Sequence, residues 1–219
     1  MRVYLAIAAG GKGLRMGGGV PKQFREWRGR PLLRATVEAF FAEGMPPLAG
    51  ISLAVPEDRM GEVGGWDFPA PTFVARGGAT RQASVAAALS ALPDEPEAVV
   101  LIHDGVRPFP PAGPLRDALA ALEAWDGAVL AEASTDTLKR VDADLKVLAT
   151  EPRERFYRAQ TPQVARLGLW REAFAAAARD GFEGTDDVQL LERLGRRVRV
   201  IPSPGTNLKV THPEDWDRL

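Results

Sequence analysis

The chain has 219 residues, 45% of them hydrophobic and 26% charged, and a formal net charge of −1, which suits a globular protein with one large domain and supplies no basic field for nucleic acid. It contains no cysteine, which excludes disulfides, thiolate metal sites and a cysteine nucleophile, and only two histidines, His103 and His212, which leaves little for a multi-histidine metal centre. No apolar run approaches the roughly 20 residues of a membrane span, so a cytoplasmic protein without a membrane partner is expected.

In chain order, residues 3–8 (VYLAIA) read as a buried strand. Their short apolar run leads into glycines and charges, unlike a signal peptide. Further strands are expected at 50–55, 72–75, 98–103, 127–131 and 198–202. The 98–103 run, AVVLIH, is apolar almost throughout, as suits a central strand covered on both faces. Helical patterns cover 31–43, 79–92, 113–125, 165–180 and 185–196. Pro31 and Pro114 suit first turns, and Gly44, Gly127, Gly181 and Gly195 read as stop signals. The alternation predicts an α/β protein of three-layer αβα, Rossmann-like form, with a mostly parallel sheet. Residues 132–158 break the rhythm and alternate polar with apolar around Asp142-Ala143-Asp144. They read as a protruding β-hairpin arm on a single domain spanning 1–219. An arm that cannot bury both faces in its own domain packs well on a second copy, so a homodimer is expected.

The stretch that follows the first strand, AAGGKGLRMGGGVPKQF (residues 8–24), carries the first chemical signal. A mononucleotide P-loop ending at Gly11-Lys12 needs glycine at 6 and Ser or Thr at 13, where Ala6 and Gly13 stand. The dinucleotide pattern fits Gly11 and Gly13, then meets Met16. Strand 50–55 also ends in Val55-Pro56, without the acidic ribose ligand. What remains is a glycine-rich loop at the C-terminal end of a strand, where open α/β sheets bind ligands. The backbone N–H groups of Ala9, Gly10, Gly11 and Gly13 can approach phosphate oxygens closely. Arg15 and Lys22 add full positive charge, and Pro21 stiffens the approach to Lys22. The span suits a triphosphate with a reactive α-phosphorus.

Other stretches have readings of their own. Gly78, Ala79 and Ser84 lie between a strand and a helix, where backbone groups and a hydroxyl can meet a base edge; a glycine turn with a helix cap is the plain alternative. Asp104 ends the fourth strand and can contact ribose hydroxyls or a phosphate-bound Mg²⁺. Arg107 has the shape to bind an acceptor phosphate, and an Asp–Arg pair bracing the turn is the plain alternative. His103 reads as a packed strand-end residue. Thr185, before a helix, reads first as an N-cap.

The pattern A-A-G-x-x-G-x-R-M followed by P-K-Q resembles nucleotidyltransferases that activate phosphorylated alcohols. The family it resembles most is the 2-C-methyl-D-erythritol 4-phosphate cytidylyltransferases of the non-mevalonate isoprenoid pathway. The resemblance spans roughly residues 3–216 and includes GGATRQASV (77–85), HDGVRP (103–108), DTLKR (136–140), TPQ (161–163), TDD (185–187) and NLKVT (207–211). It implies that CMP is transferred from CTP to a polyol phosphate with Mg²⁺ as cofactor. It also implies cytosine recognition at Gly78, Ala79 and Ser84, and acceptor contacts from Arg107, Thr137, Thr161 and Thr185. Arg15 and Lys22 would stabilise the transition state and leaving group. Lys209 would orient the acceptor, and Arg153 would do so from the neighbouring subunit. Thr206 departs from the acidic residue that often precedes the family asparagine, which leaves open what positions Lys209. Gly10 replaces a small alanine, which reads as harmless. A cytidylyltransferase acting on ribitol 5-phosphate is the alternative, and a non-catalytic nucleotide sensor is a third class.

Overall fold

The computed structural model describes residues 1–11 and 19–219. Its strands are β1 (Val3–Ala8), β2 (Glu26–Trp27), β3 (Arg30–Pro31), β4 (Gly50–Val55), β5 (Thr72–Arg76), β6 (Val99–Asp104), β7 (Gly127–Ala133), β8 (Leu138–Val141), β9 (Val147–Glu151), β10 (Tyr157–Arg166) and β11 (Val198–Pro202). The α-helices are α1 (Leu32–Glu38), α2 (Met60–Gly64), α3 (Arg81–Ala91), α4 (Ala112–Ala121), α5 (Leu167–Arg179) and α6 (Val188–Arg193). No helix among them is long and apolar enough to cross a membrane.

Seven strands form the central sheet in the order β11-β7-β10-β6-β1-β4-β5. Neighbours pair parallel except around β10, which runs antiparallel to both β6 and β7. The strand period of two divides β1 between two cores. Val3, Leu5 and Ile7 face α1, α2 and α4, through Leu33, Val37, Val63 and Leu115. Tyr4 and Ala6 face α3, α5 and α6, through Val85, Leu89, Trp170 and Leu191. Both faces of the sheet are thus covered, which is why β1, β4 and β6 are apolar at nearly every position. The three-layer αβα reading holds.

Several details depart from expectation. The return limb of the arm enters the central sheet as β10, which the sequence pattern misses. Its centre, Gln160-Thr161-Pro162-Gln163, is polar, carries a register shift, and includes a cis peptide between Thr161 and Pro162. The arm itself is the two-stranded β8–β9 hairpin, turned at Asp142, whose Oδ1 accepts the Asp144 and Lys146 N–H groups. Gly44, Gly181 and Gly195 take positive φ, as stop signals should. Gly127 does not. It opens β7, and a Cβ there would lie 2.8 Å from Leu191 Cδ1 on α6. Helix α6 is shorter than predicted because its first turn starts only after Asp186 and Asp187.

The parallel strands end together, so the turns after β1 and β5 meet. Ala9 N–H donates to Ala54 O, and Gly77 N–H to Val55 O. A Cβ on Gly77 would lie 2.6 Å from Gly10 Cα, and one on Gly10 would lie 2.7 Å from Ser84 Oγ. Glycine at position 10 is therefore a requirement of this packing, not a harmless exchange for alanine. Gly77→Ala must push the two turns apart, and urea unfolding should show a loss of about 1–3 kcal/mol, the usual scale of overpacking. Stability within about 0.5 kcal/mol of the unmodified chain would mean the turns separate freely.

Candidate active site

The C-terminal edge of the sheet gathers the polar residues around one carboxylate. Asp104 is the last residue of β6 and is buried. Its Oδ1 accepts from Arg81 Nε at 3.0 Å, and its Oδ2 from Arg107 Nε at 3.3 Å and pairs with Lys209 Nζ at 2.9 Å. Burial alone would raise its pKa. The Arg81, Lys209 and Arg107 charges overcome that and hold the carboxyl well below the usual range. Arg81 spans two acids, since its Nη1 and Nη2 also grip Asp187 at 2.8 and 2.7 Å in a bidentate fork. Burial works against its charge, but the two carboxylates more than compensate, and the guanidinium stays charged.

Behind Asp104, the backbone is held by a relay. The Asp104 N–H donates to Thr161 Oγ1 at 3.1 Å, and that oxygen lies 3.0 Å from His103 Nδ1. His103 Nε2 lies 3.0 Å from the Arg107 carbonyl, which can only accept, so Nε2 carries the proton. Nδ1 is then the acceptor, and the Thr161 hydroxyl donates to it. Burial lowers the His103 pKa to about 4, in keeping with this neutral ring. The Thr161 hydroxyl is thus spent inside the protein. There it supports the Asp104 backbone.

Arg107 also turns inward. It is buried, and Nη1 donates to the Asn207 carbonyl at 2.7 Å while Nε meets Asp104. It braces the turn from inside, as in the plain alternative. Asn207 in turn donates from Nδ2 to Gln160 Oε1 and to the Thr161 carbonyl. The segment after β11 is thereby tied to β10, and Lys209 emerges beside Asp104 with its side chain 41% exposed. Lys22, in a short 3₁₀ turn, donates to the Val210 carbonyl at 2.8 Å. Two lysines far apart in sequence therefore converge on consecutive residues, 209 and 210. Gln23 fastens the glycine loop's start, donating from Nε2 to the carbonyls of Ala9 and Gly11 at 2.8 and 2.7 Å. Gly13 and Arg15 lie outside the described residues.

On the far side of Asp104, Thr80 caps α3 by accepting from Ala83 N–H. Ser84 is buried, accepts from Gly78 N–H at 3.1 Å and donates to Thr80 O at 2.9 Å, while Ala79 is exposed. Thr185 is exposed and does not cap α6. That work falls to Asp186, whose Oδ1 accepts from Gln189 N–H. Gln163 of β10 secures this turn, donating to Asp186 Oδ2 and accepting from Val188 N–H. Thr137 and Arg153 belong to the arm and are exposed. Arg153 Nη1 donates to the Thr135 carbonyl, and it makes no hydrogen bond or ion pair with Asp104 or Lys209. Sequence reading passes over Arg81, Asp187, Gln163 and Gln23, although each stands inside a motif it singles out.

A mostly parallel αβα sheet with a glycine-rich turn and convergent cations at its C-terminal edge defines a nucleotide-handling enzyme of the nucleotidyltransferase class. The family model for 2-C-methyl-D-erythritol 4-phosphate cytidylyltransferase matches residues 3–218, and the chain belongs to that family. The enzyme of that description from Geotalea uraniireducens is 42% identical over 221 residues, covering 98% of this chain and 94% of the relative. Among solved structures, the Thermus thermophilus cytidylyltransferase is 35% identical with a TM-score of 0.77, covering 100% of this chain and 97% of that one. The 4-diphosphocytidyl-2C-methyl-D-erythritol synthase of Anaerococcus prevotii is 30% identical with a TM-score of 0.85, covering 99% and 93%.

The buried neutral imidazole makes stability pH-dependent. His103 titrates near 4 when folded and near 6.5 when unfolded, so between those values the unfolded chain binds more protons. Its contribution is fully present above about pH 6.5 and is lost as pH falls toward 4, to a total of about 3 kcal/mol. Urea unfolding between about pH 7.5 and 5 should show this decline, flattened in His103→Gln. Equal slopes in the two proteins would place the titration elsewhere.

Proposed function

We propose that this chain transfers CMP from CTP to 2-C-methyl-D-erythritol 4-phosphate, as a homodimer whose active sites are shared across its arms. A phosphate oxygen of the acceptor attacks the α-phosphorus in line. The bond from that phosphorus to the bridging oxygen breaks, and pyrophosphate leaves with the electron pair. A phosphate monoester has its second pKa near 6, so the nucleophile is largely an anion at neutral pH and needs no general base. The site suits that economy, because the imidazole beside it is buried with both ring nitrogens engaged.

The work required is electrostatic: two anions must meet, and charge must be held as phosphorus becomes five-coordinate. The convergence of Lys22 and Lys209 on one edge, through residues 209 and 210, is the observation that carries the reading. Lys22 and Arg15 serve the triphosphate and leaving group, and Lys209 orients the acceptor. Ala9, Gly10, Gly11 and Gly13 cradle phosphate, while Gly78, Ala79 and Ser84 read the base. A divalent cation such as Mg²⁺, entering with CTP, neutralises phosphate oxygens. Asp104 fits poorly as its ligand, since both carboxylate oxygens already hold cations. No group of three His, Asp or Glu able to hold a metal occurs among the described residues. The nucleotide's own phosphates are the better carrier.

The arm supports the dimer. Val141, Leu145, Val147 and Leu148 are exposed on the β8–β9 hairpin, and Phe156 and Tyr157 at its root. An uncovered two-stranded ribbon with such side chains calls for a partner surface. Arg153 and Thr137, which make no hydrogen bond or ion pair with their own chain's Asp104 or Lys209, are then delivered to the second copy's acceptor.

Pyrophosphate release should be assayed with Mg²⁺, each of four nucleoside triphosphates, and a panel of polyol phosphates. CTP with methylerythritol phosphate should give the highest kcat/KM. A preference for ribitol 5-phosphate would move the chain to that substrate, and binding without turnover would make it a sensor. Lys22→Ala should lower mainly kcat, by a factor on the order of 100–1,000 if it resembles loss of an oxyanion donor. Lys22→Ala and Arg153→Ala, each inactive alone, should regain activity when mixed, because one hybrid site is intact. No recovery despite demonstrated subunit exchange would refute the shared site.

A further inference from the structure

We propose that Arg81, anchored by Asp187, is a positioning residue for Lys209 and acts through Asp104. This rests on the cytidylyltransfer reading, in which Lys209 orients the acceptor. Residue 206 is threonine, so no carboxylate immediately before Asn207 is available to place Lys209. The structure supplies one from another element: Lys209 Nζ meets Asp104 Oδ2 at 2.9 Å. A lysine ammonium goes where its counter-charge is, so the direction of the Asp104 carboxylate decides the direction of Lys209.

Two guanidinium groups set that carboxylate. Arg107 meets the same oxygen as Lys209 at 3.3 Å, whereas Arg81, alone among the described residues, takes the other oxygen, at 3.0 Å. Arg81 is therefore the residue that stops the carboxylate from rotating its Oδ2 away from Lys209. Arg81 is in turn fixed by the fork on Asp187, which is 1% exposed and has no other side-chain partner among the described residues. A buried carboxylate is costly unless it is paired, and removing one partner of such a pair is destabilising. Asp187 opens α6 and Arg81 opens α3, so two helices clamp the guanidinium across the sheet edge. A clamp that only joined the helices would not need its Nε aimed at Asp104.

The ion pair can be read directly, because the chain has only five lysines, at 12, 22, 139, 146 and 209. Acylation of the purified, full-length protein by a limiting amine-reactive ester, followed by peptide mass spectrometry, gives the rate at Lys209. Lys139 and Lys146 on the arm serve as internal references. Arg81→Gln and Asp187→Asn should each raise the Lys209 rate more than threefold over those references, and Arg81→Lys, which keeps the charge, should raise it less. Each should also lower kcat/KM for the acceptor at least tenfold, with a smaller effect on KM for CTP. Should Arg81→Gln not fold by circular dichroism, Arg81→Lys and Asp187→Asn carry the same comparison. An unchanged Lys209 rate in folded variants, or a kinetic loss confined to CTP, overturns the proposal. Turnover of CTP and acceptor by the unmodified chain is measured separately and tests the functional reading alone.

Discussion

The carboxylate of Asp104 is buried at the end of a central strand, and an ion taken out of water in this way costs several kcal/mol unless partners are held ready for it. Here the partners come from several neighbouring elements: Arg81 from the start of α3, Arg107 from the turn after β6, and Lys209 from the segment after β11. Each of those groups is itself fixed by something else, through Asp187, the Asn207 carbonyl and the turn that precedes Lys209. Removing Asp104 would leave three cations facing one another. A surplus of positive charge set by a single buried anion is a sound way to build a binding edge for phosphates, because the charges are held in place before the ligand arrives.

The fold serves this by bringing strand ends together. β1, β4, β5 and β6 are parallel, so their following turns open on one edge, while β10 runs the other way and lays its side chains along it. Gln160, Thr161 and Gln163 each hold a different neighbour: Asn207, Asp104 and the start of α6. This strand also leads out of the arm. The exposed arm and the relay behind Asp104 are therefore separated by only a few residues of continuous chain.

Much of this is legible in the sequence for identifiable reasons. β1, β4 and β11 fall at their expected ends because they are apolar runs bounded by glycine, proline or charge. β10 does not, because a polar, proline-containing centre is a poor likeness of a buried strand. Its side-chain amides meet partners far away in sequence, which no local pattern records. The same holds for Arg81 and Asp187, 106 positions apart. Asp104 and Lys209 are visible as charged residues in turn motifs. Arg107 looks like them in the sequence, and only its bond to the Asn207 carbonyl, 100 positions away, shows what it braces. Thr185 reads as a cap on local grounds, and the next residue, Asp186, does that work because Gln163 holds it in place.

Because β10 joins the hairpin to the sheet, the two halves of this stretch tolerate change very differently over evolutionary time. The turn from Asp142 to Lys146 is exposed, and an added residue there lengthens a ribbon without disturbing the core. An added residue between Ala159 and Ala165 would shift part of β10 out of register with β6 and β7 and pull Thr161 or Gln163 off its partners, Asp104 or the start of α6. The reach of the arm can thus change without cost to the core, while the length of the strand behind it is fixed by the partners of its side chains.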